Sequence, residues 1–149
     1  MKTKTTRNVF LFSLAFLGIG AIYGGGTLII SPTGELLKMP LSLLEKSPFN
    51  DYLIPGIILF SVLGLVPCLL IYPLIKKPTC KFFEKFNIFN DMHWSWTFSI
   101  YIAFALIFWL QIQMMFLQTV YWAHTLYMLI AICIVIIGIL PQVRELYKK

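Results

Sequence analysis

The sequence predicts an all-α polytopic membrane protein: an antiparallel bundle of four transmembrane helices, with a short outer helix and a short cytoplasmic interfacial helix, forming one membrane domain over residues 1–149. Three observations predict it. Four segments, about 9–30, 52–75, 95–117 and 120–140, contain no Lys, Arg, Asp or Glu. At ~1.5 Å per helical residue each is about 30–36 Å long, enough to cross a hydrocarbon core of ~30 Å. Hydrophobic residues make up 59% of the chain and charged residues 12%, with a mean hydropathy of +0.83, which is more apolar surface than a water-soluble core of this size can hide. Finally, the basic residues fall almost entirely on one side.

Lys2, Lys4 and Arg7 precede the first segment. Lys76, Lys77, Lys81 and Lys85 lie between the second and third, and Arg144, Lys148 and Lys149 follow the fourth. Only Lys38 and Lys46 fall in the other connections. By the positive-inside rule both termini are expected in the cytoplasm, and the connector after the first helix faces outward from a cytoplasmic (inner) membrane. The net charge of +6 is then orientation signal and attraction to anionic lipid. It is scattered over helix ends and forms no single patch, so nucleic-acid binding is not expected.

The first segment, "NVFLFSLAFLGIGAIYGGGTLII", follows a basic stretch like that of a signal peptide. It is longer than an h-region and lacks an A-x-A site, and is expected to remain as an anchor. Its end carries Gly20 and Gly24 on one face, with Ala21 and Gly25 beside them. Small residues at this spacing let a helix approach closely, from the same chain or from a second copy or another protein partner.

The connector "SPTGELLKMPLSLLEKSPFNDYLIPG" is rich in Leu and Pro. Ser31 to Gly34 reads as a turn, and a brief helix is expected to begin at Pro40 with Leu37, Leu41 and Leu44 on one side. Ser47 is positioned to cap helix 2 with Pro48 in its first turn, where Asp51 meets the positive end of the helix dipole. Within helix 2, Pro67 is the costly proline, because it removes a mid-helix hydrogen bond and calls for a kink.

"KKPTCKFFEKFNIFNDMHW" has Phe82, Phe86 and Phe89 at helical spacing with Phe83 beside them, and Lys81, Glu84, Lys85 and Asn87 around the remainder. That is the pattern of an interfacial helix, with Lys81 and Lys85 among the anionic head groups of the inner leaflet. Helix 3 carries Gln111, Gln113 and Gln118. Gln111 and Gln118 share a face, while Gln113 is about 200° round from Gln111. The tight connection "QTVYWAH" then adds Tyr121, Trp122 and His124.

Much chemistry is excluded. Asp51 and Asp91 fall on opposite sides of the membrane, so no aspartate pair shares a proton. His93 and His124 are likewise separated, against bis-histidine haem ligation. No helix holds a carboxylate for proton coupling, no set of metal ligands clusters, and no phosphate loop, dinucleotide fingerprint or nucleophile elbow occurs. Cys68 and Cys133 lie within helices and Cys80 in a cytoplasmic loop, with no C-x-x-C, which argues against thiol redox chemistry.

The Gly-rich helix end, the connector quoted above and "NDMHWSWTFSIYIAFALIFWLQIQ" together resemble small four-helix membrane proteins of unknown function from Bacteroidota-like bacteria. Those look distantly similar to the DoxX-type group, some of whose members are linked to quinone or sulfur redox chemistry. Two functions follow as expectations. One is a non-enzymatic accessory or small-ligand-binding membrane subunit, its outer connector packed as a lid. The other, which the resemblance implies, is a membrane oxidoreductase or carrier acting on a lipid-soluble substrate such as a quinone. Tyr23, Asp51, Gln111, Gln118 and His124 would line its outer-leaflet pocket. There a neutral His124 beside a carboxylate would shuttle protons, since an imidazole titrates near neutrality. No residue pattern names a cofactor.

Overall fold

The computed structural model describes residues 2–149, and among them four helices are long and apolar enough to cross a membrane: α1 (Thr3–Ile30), α2 (Leu53–Lys76), α4 (Trp94–Leu117) and α5 (Trp122–Ile139). A single turn, α3 (Lys81–Glu84), lies between α2 and α4, and a short helix, α6 (Pro141–Tyr147), follows α5. α1 starts two turns before its apolar run, because Lys4 and Arg7 are good helix formers and nothing ahead of Val9 breaks the helix. Its buried positions, Phe10, Leu14, Leu17, Ala21, Gly25 and Leu28, make one continuous stripe at helical spacing. The opposite face is equally apolar but exposed, with Phe12, Ile19 and Tyr23 on it, as are Leu69, Phe108 and Ile136 on the other long helices. An outer surface this apolar is suited to lipid.

α1 and α2 touch through their backbones. A Cβ on Gly25 would lie 2.5 Å from the Phe60 nitrogen and 2.8 Å from the Gly56 oxygen, and one on Gly64 would lie 2.8 Å from the Ile22 side chain. Gly18 faces Cys68 and the Gly64 carbonyl in the same seam. Pro67 stands in the first turn of the α-helical segment Val66–Lys76 of α2, just after a change in helix type. α2 opens into a π-helical stretch over Leu59–Leu65, in which Val66 N–H donates to Ser61 O five residues back. Widening the turn just ahead of Pro67 is one way to re-route the carbonyls its missing N–H would leave bare.

α4 ties the bundle together with side chains that bond to backbone. Ser95 donates to Pro73 O of α2 at 3.4 Å, Trp96 Nε1–H to Gly138 O of α5 at 2.8 Å, and Ser99 to Ser95 O at 2.8 Å. Each of these polar groups is buried, and each has a partner, as a dry interior requires.

The aromatic segment after α2 departs from the amphipathic helix its spacing suggests. Only Lys81–Glu84 is helical, because Asn87, expected on the solvated side, is buried. Its Nδ2 donates to Met92 O at 2.8 Å, and its Oδ1 accepts from Phe89 N–H at 3.1 Å and from Thr97 Oγ1 at 2.6 Å. An Asn side chain taking backbone partners in this way ends a helix. Phe83 stacks on Trp94 with ring centroids 4.6 Å apart, while Phe82 and Phe86 stay exposed.

The tail closes the same end. Tyr147 O accepts from His93 N–H at 2.7 Å, Lys149 N–H donates to Asp91 O at 2.9 Å, and Lys149 Nζ meets Glu84 Oε2 at 2.6 Å. Burial pushes the Tyr147 hydroxyl up to about 12. Burial also tends to raise the Glu84 carboxyl, but hydrogen bonds from Lys149 and Asn87 outweigh it and hold the group below its usual value. His93 caps α4: Nδ1 accepts from Ser95 N–H at 3.3 Å, and Nε2–H donates to Pro78 O at 3.0 Å, which defines a neutral ring. Burial lowers its pKa first, helped by the Lys149 and Lys77 charges and opposed by the Pro78 carbonyl and Glu84.

The connector between α1 and α2 forms the other end. Gly34 N–H closes the expected turn onto Ser31 O at 3.0 Å, and short 3-10 turns follow at Glu35–Leu37 and Leu41–Leu44. The brief helix is thus a single 3-10 turn after Pro40, with Leu44 buried and Leu41 exposed. Ser47 does not cap α2. Its hydroxyl donates to Leu44 O at 2.8 Å and accepts from Phe49 N–H at 3.2 Å, and α2 begins only at Leu53, where Asp51 Oδ1 takes the Leu53 N–H at 2.9 Å. Tyr52 pins the connector down: it is buried against Leu28 and Leu44, and its hydroxyl donates to Pro40 O at 3.0 Å.

Two outcomes are expected. Gly25→Ala should lower stability by about 1–3 kcal/mol, because the new methyl meets backbone that cannot step aside. Gly24→Ala, whose Cβ would find only Leu59 Cδ2 at 3.5 Å, should stay within about 0.5 kcal/mol of wild type in thermal unfolding of the detergent-solubilised protein. Since His93 takes its proton at lower pH when folded than when unfolded, its contribution is complete above about pH 6.5 and is lost as the pH falls through the folded value. Melting temperature should therefore drop on acidification from pH ~7 to pH ~5, and much of that drop should be missing from His93→Gln.

Candidate functional site

A cavity of about 380 Å³, apolar in most of its lining, lies among α1, α2, α4 and α5, at the end covered by the connector. α1 contributes Leu17, Gly20, Ala21, Gly24 and Leu28, and α2 contributes Leu59. α4 adds Leu106, Trp109, Leu110, Gln113 and Leu117; the start of α5, with Tyr121 just ahead of it, adds Trp122, Ala123, His124 and Tyr127. Leu37, Lys38 and Met39 of the connector complete the wall. The lining is apolar with a few polar groups, and the size is within the usual range for small-molecule sites.

The space exists because α1 presents two adjacent stripes of small residues. Gly18, Ala21 and Gly25 turn to α2, so Gly20 and Gly24 turn to the cavity. The Tyr127 hydroxyl stands where a Cβ on Gly20 would be, and beside Gly24 the nearest atom lies 3.5 Å from a built Cβ.

His124 supplies the one imidazole. It is 7% exposed and lies in the first turn of α5, where Nδ1 accepts the Tyr121 N–H at 3.1 Å. That bond places the ring proton on Nε2, so the neutral imidazole is a donor on its other side. Trp109 Nε1–H is buried beside the cavity without a hydrogen-bond partner. Of the charged residues, only Lys38 lines the space. Its backbone is in the left-handed region, with φ of 55°, and its N–H closes the first 3-10 turn onto Glu35 O at 3.0 Å.

Of the five residues that the sequence nominates for a pocket, His124 is in it and four are not. Tyr23 is 72% exposed on the outward face of α1. Asp51 is engaged at the start of α2, and Gln111 is exposed on α4. Gln118 ends α4, its amide donating to Met115 O at 2.7 Å and its oxygen accepting from Lys46 Nζ at 3.5 Å. The glutamine that does line the cavity is Gln113, on the face away from Gln111. The stripe Ala103, Leu106, Leu110, Leu117 carries the signal for this, since Gln113 continues its spacing. Among the described residues no three of His, Cys, Asp or Glu gather as metal ligands.

Comparison with family models, with curated proteins and with solved structures returned no match for this chain.

Proposed function

We propose that this protein is a small multi-pass membrane protein that binds a lipid-soluble ligand without transforming it, with the connector between α1 and α2 as the lid. The observation that carries the reading is that Leu37, Lys38 and Met39 complete the wall of a cavity otherwise bounded by the long helices. A connector that only joined two helices would have no reason to bury Leu44 and Tyr52 against Leu28 and so hold its own backbone over that space. The rival reading, an oxidoreductase or quinone carrier, needs a carboxylate to exchange protons with His124. No Asp or Glu is among the lining residues, and Asp51 is occupied at the start of α2, so the binding role is favoured.

The bundle is read as antiparallel, with both termini on the cytoplasmic side of the inner membrane and the lid outside. In support, contacts along α1 advance from Gly18 to Gly25 while their α2 partners retreat from Cys68 to Gly56. The asymmetry of the basic residues supports the orientation. Exposed Lys81 and Lys85, next to exposed Phe82 and Phe86, then contact the anionic inner leaflet. The Gly20 and Gly24 face is read as cavity wall and not as a seam for a second copy, because both line the cavity and Tyr127 already stands against Gly20.

Extraction in mild detergent followed by native mass spectrometry should show a small molecule retained by wild type. It should be lost from Gly24→Phe, which fills the cavity from its open side. A wild-type protein that carries nothing and gains no thermal stability from added lipid would sink the binding reading. Alkaline phosphatase fused after Lys149 should be inactive and the same enzyme inserted near Glu35 active; the reverse pattern would invert the orientation.

A further inference from the structure

Resting on the ligand-binding reading, we infer that the cavity is built for a single-chain amphiphile whose head is an oxygen anion, a carboxylate or a phosphate, held at Lys38 with its chain lying along α1. Charge is the first reason. Lys38, exposed at the mouth, is the only charged residue of the lining, so the cavity offers one positive group and nothing negative to offset it.

Hydrogen-bonding capacity points the same way. His124 is a donor through Nε2–H because its Nδ1 is taken by Tyr121 N–H. The hydroxyls of Tyr121 and Tyr127 and the amide of Gln113 can donate as well. The hydroxyls and the amide accept as well, so it is the donor-only groups, Lys38 and His124 Nε2–H, that an accepting head complements.

Shape sets the remainder. From Leu28, beneath the connector, to Leu17, half-way down α1, the lining runs about 16 Å along the helix at ~1.5 Å per residue. A volume of about 380 Å³ along that length suits one slender chain. The deep wall is largely apolar, with Leu17, Leu106, Trp109 and Leu110, and the Tyr127 hydroxyl stands against Gly20.

The test uses the full chain in phosphatidylcholine nanodiscs, with equilibrium binding of radiolabelled myristate, its methyl ester and a single-chain lysophosphatidate corrected for empty discs. Wild type should bind the two anions more tightly than the ester by about fivefold, the upper end of what a partly exposed ion pair supplies. That preference should shrink as salt is raised. In Lys38→Gln the ratio of anion to ester affinity should fall to about one, and Lys38→Arg should restore it. Whichever anion binds tighter identifies the head as carboxylate or phosphate. Equal binding of acid and ester in wild type, or a preference that survives Lys38→Gln, would overturn the anionic head while leaving the ligand cavity standing. Binding of none of the three would overturn the inference and the ligand-binding reading together.

Discussion

The backbone contact between α1 and α2 is the constraint on which the rest depends. Gly25 against Gly56 and Phe60, with Gly18 and Gly64 along the same line, brings two helices closer than any side chain would allow. In a bilayer no hydrophobic force drives helices together, so close van der Waals contact of this kind has to do it. Once that seam is made, the rotation of α1 is set, and the second small pair turns to the cavity, Gly20 against Tyr127 of α5 and Gly24 beside Leu59 of α2. There it produces the opposite effect. Glycine removes bulk from one face to make a contact and from the next to leave a cavity.

The two ends of the bundle solve the problem of polar groups in different ways. At the end where α4 begins, His93, Asn87, Ser95 and Thr97 each take backbone or side-chain partners, and the tail is bonded down across them through Tyr147 and Lys149. Most groups there are bonded, while the Tyr147 hydroxyl and Arg7 Nε are buried at that end without a partner. At the connector end Tyr52 and Asp51 are satisfied in the same manner, but the cavity wall keeps a donor in reserve on His124. Unspent hydrogen-bonding capacity next to free volume distinguishes a site from a cap.

Legibility followed how local the cause was. The spans of α2, α4 and α5 agree with the sequence to within two residues, because an uncharged apolar run is sufficient cause for each. The turn at Ser31 to Gly34 was readable for the same reason. Less was legible where a distant partner decides. Asn87 looks like a solvated residue of an amphipathic turn until Met92 and Thr97 come round to it. Ser47 looks like a helix cap, yet Leu44 and Phe49 claim it first. For the site, polarity drew attention to Gln111 and Gln118, whereas the core stripe through Leu106, Leu110 and Leu117 selects Gln113.

By itself the sequence determined that this chain has four helices long and apolar enough to cross a membrane, where α2, α4 and α5 start and stop, and that small residues crowd the end of α1. These follow from length, the absence of charge and the exclusion of polar groups from hydrocarbon, all properties of a segment in isolation. Only the tertiary structure decided which small stripe makes contact and which makes room, that His124 faces the space as a neutral donor, and that Lys38 stands at its mouth. Those outcomes depend on the rotation of each helix about its own axis. In a helix apolar on every side, no hydrophobic pattern specifies that rotation, and packing against neighbours must.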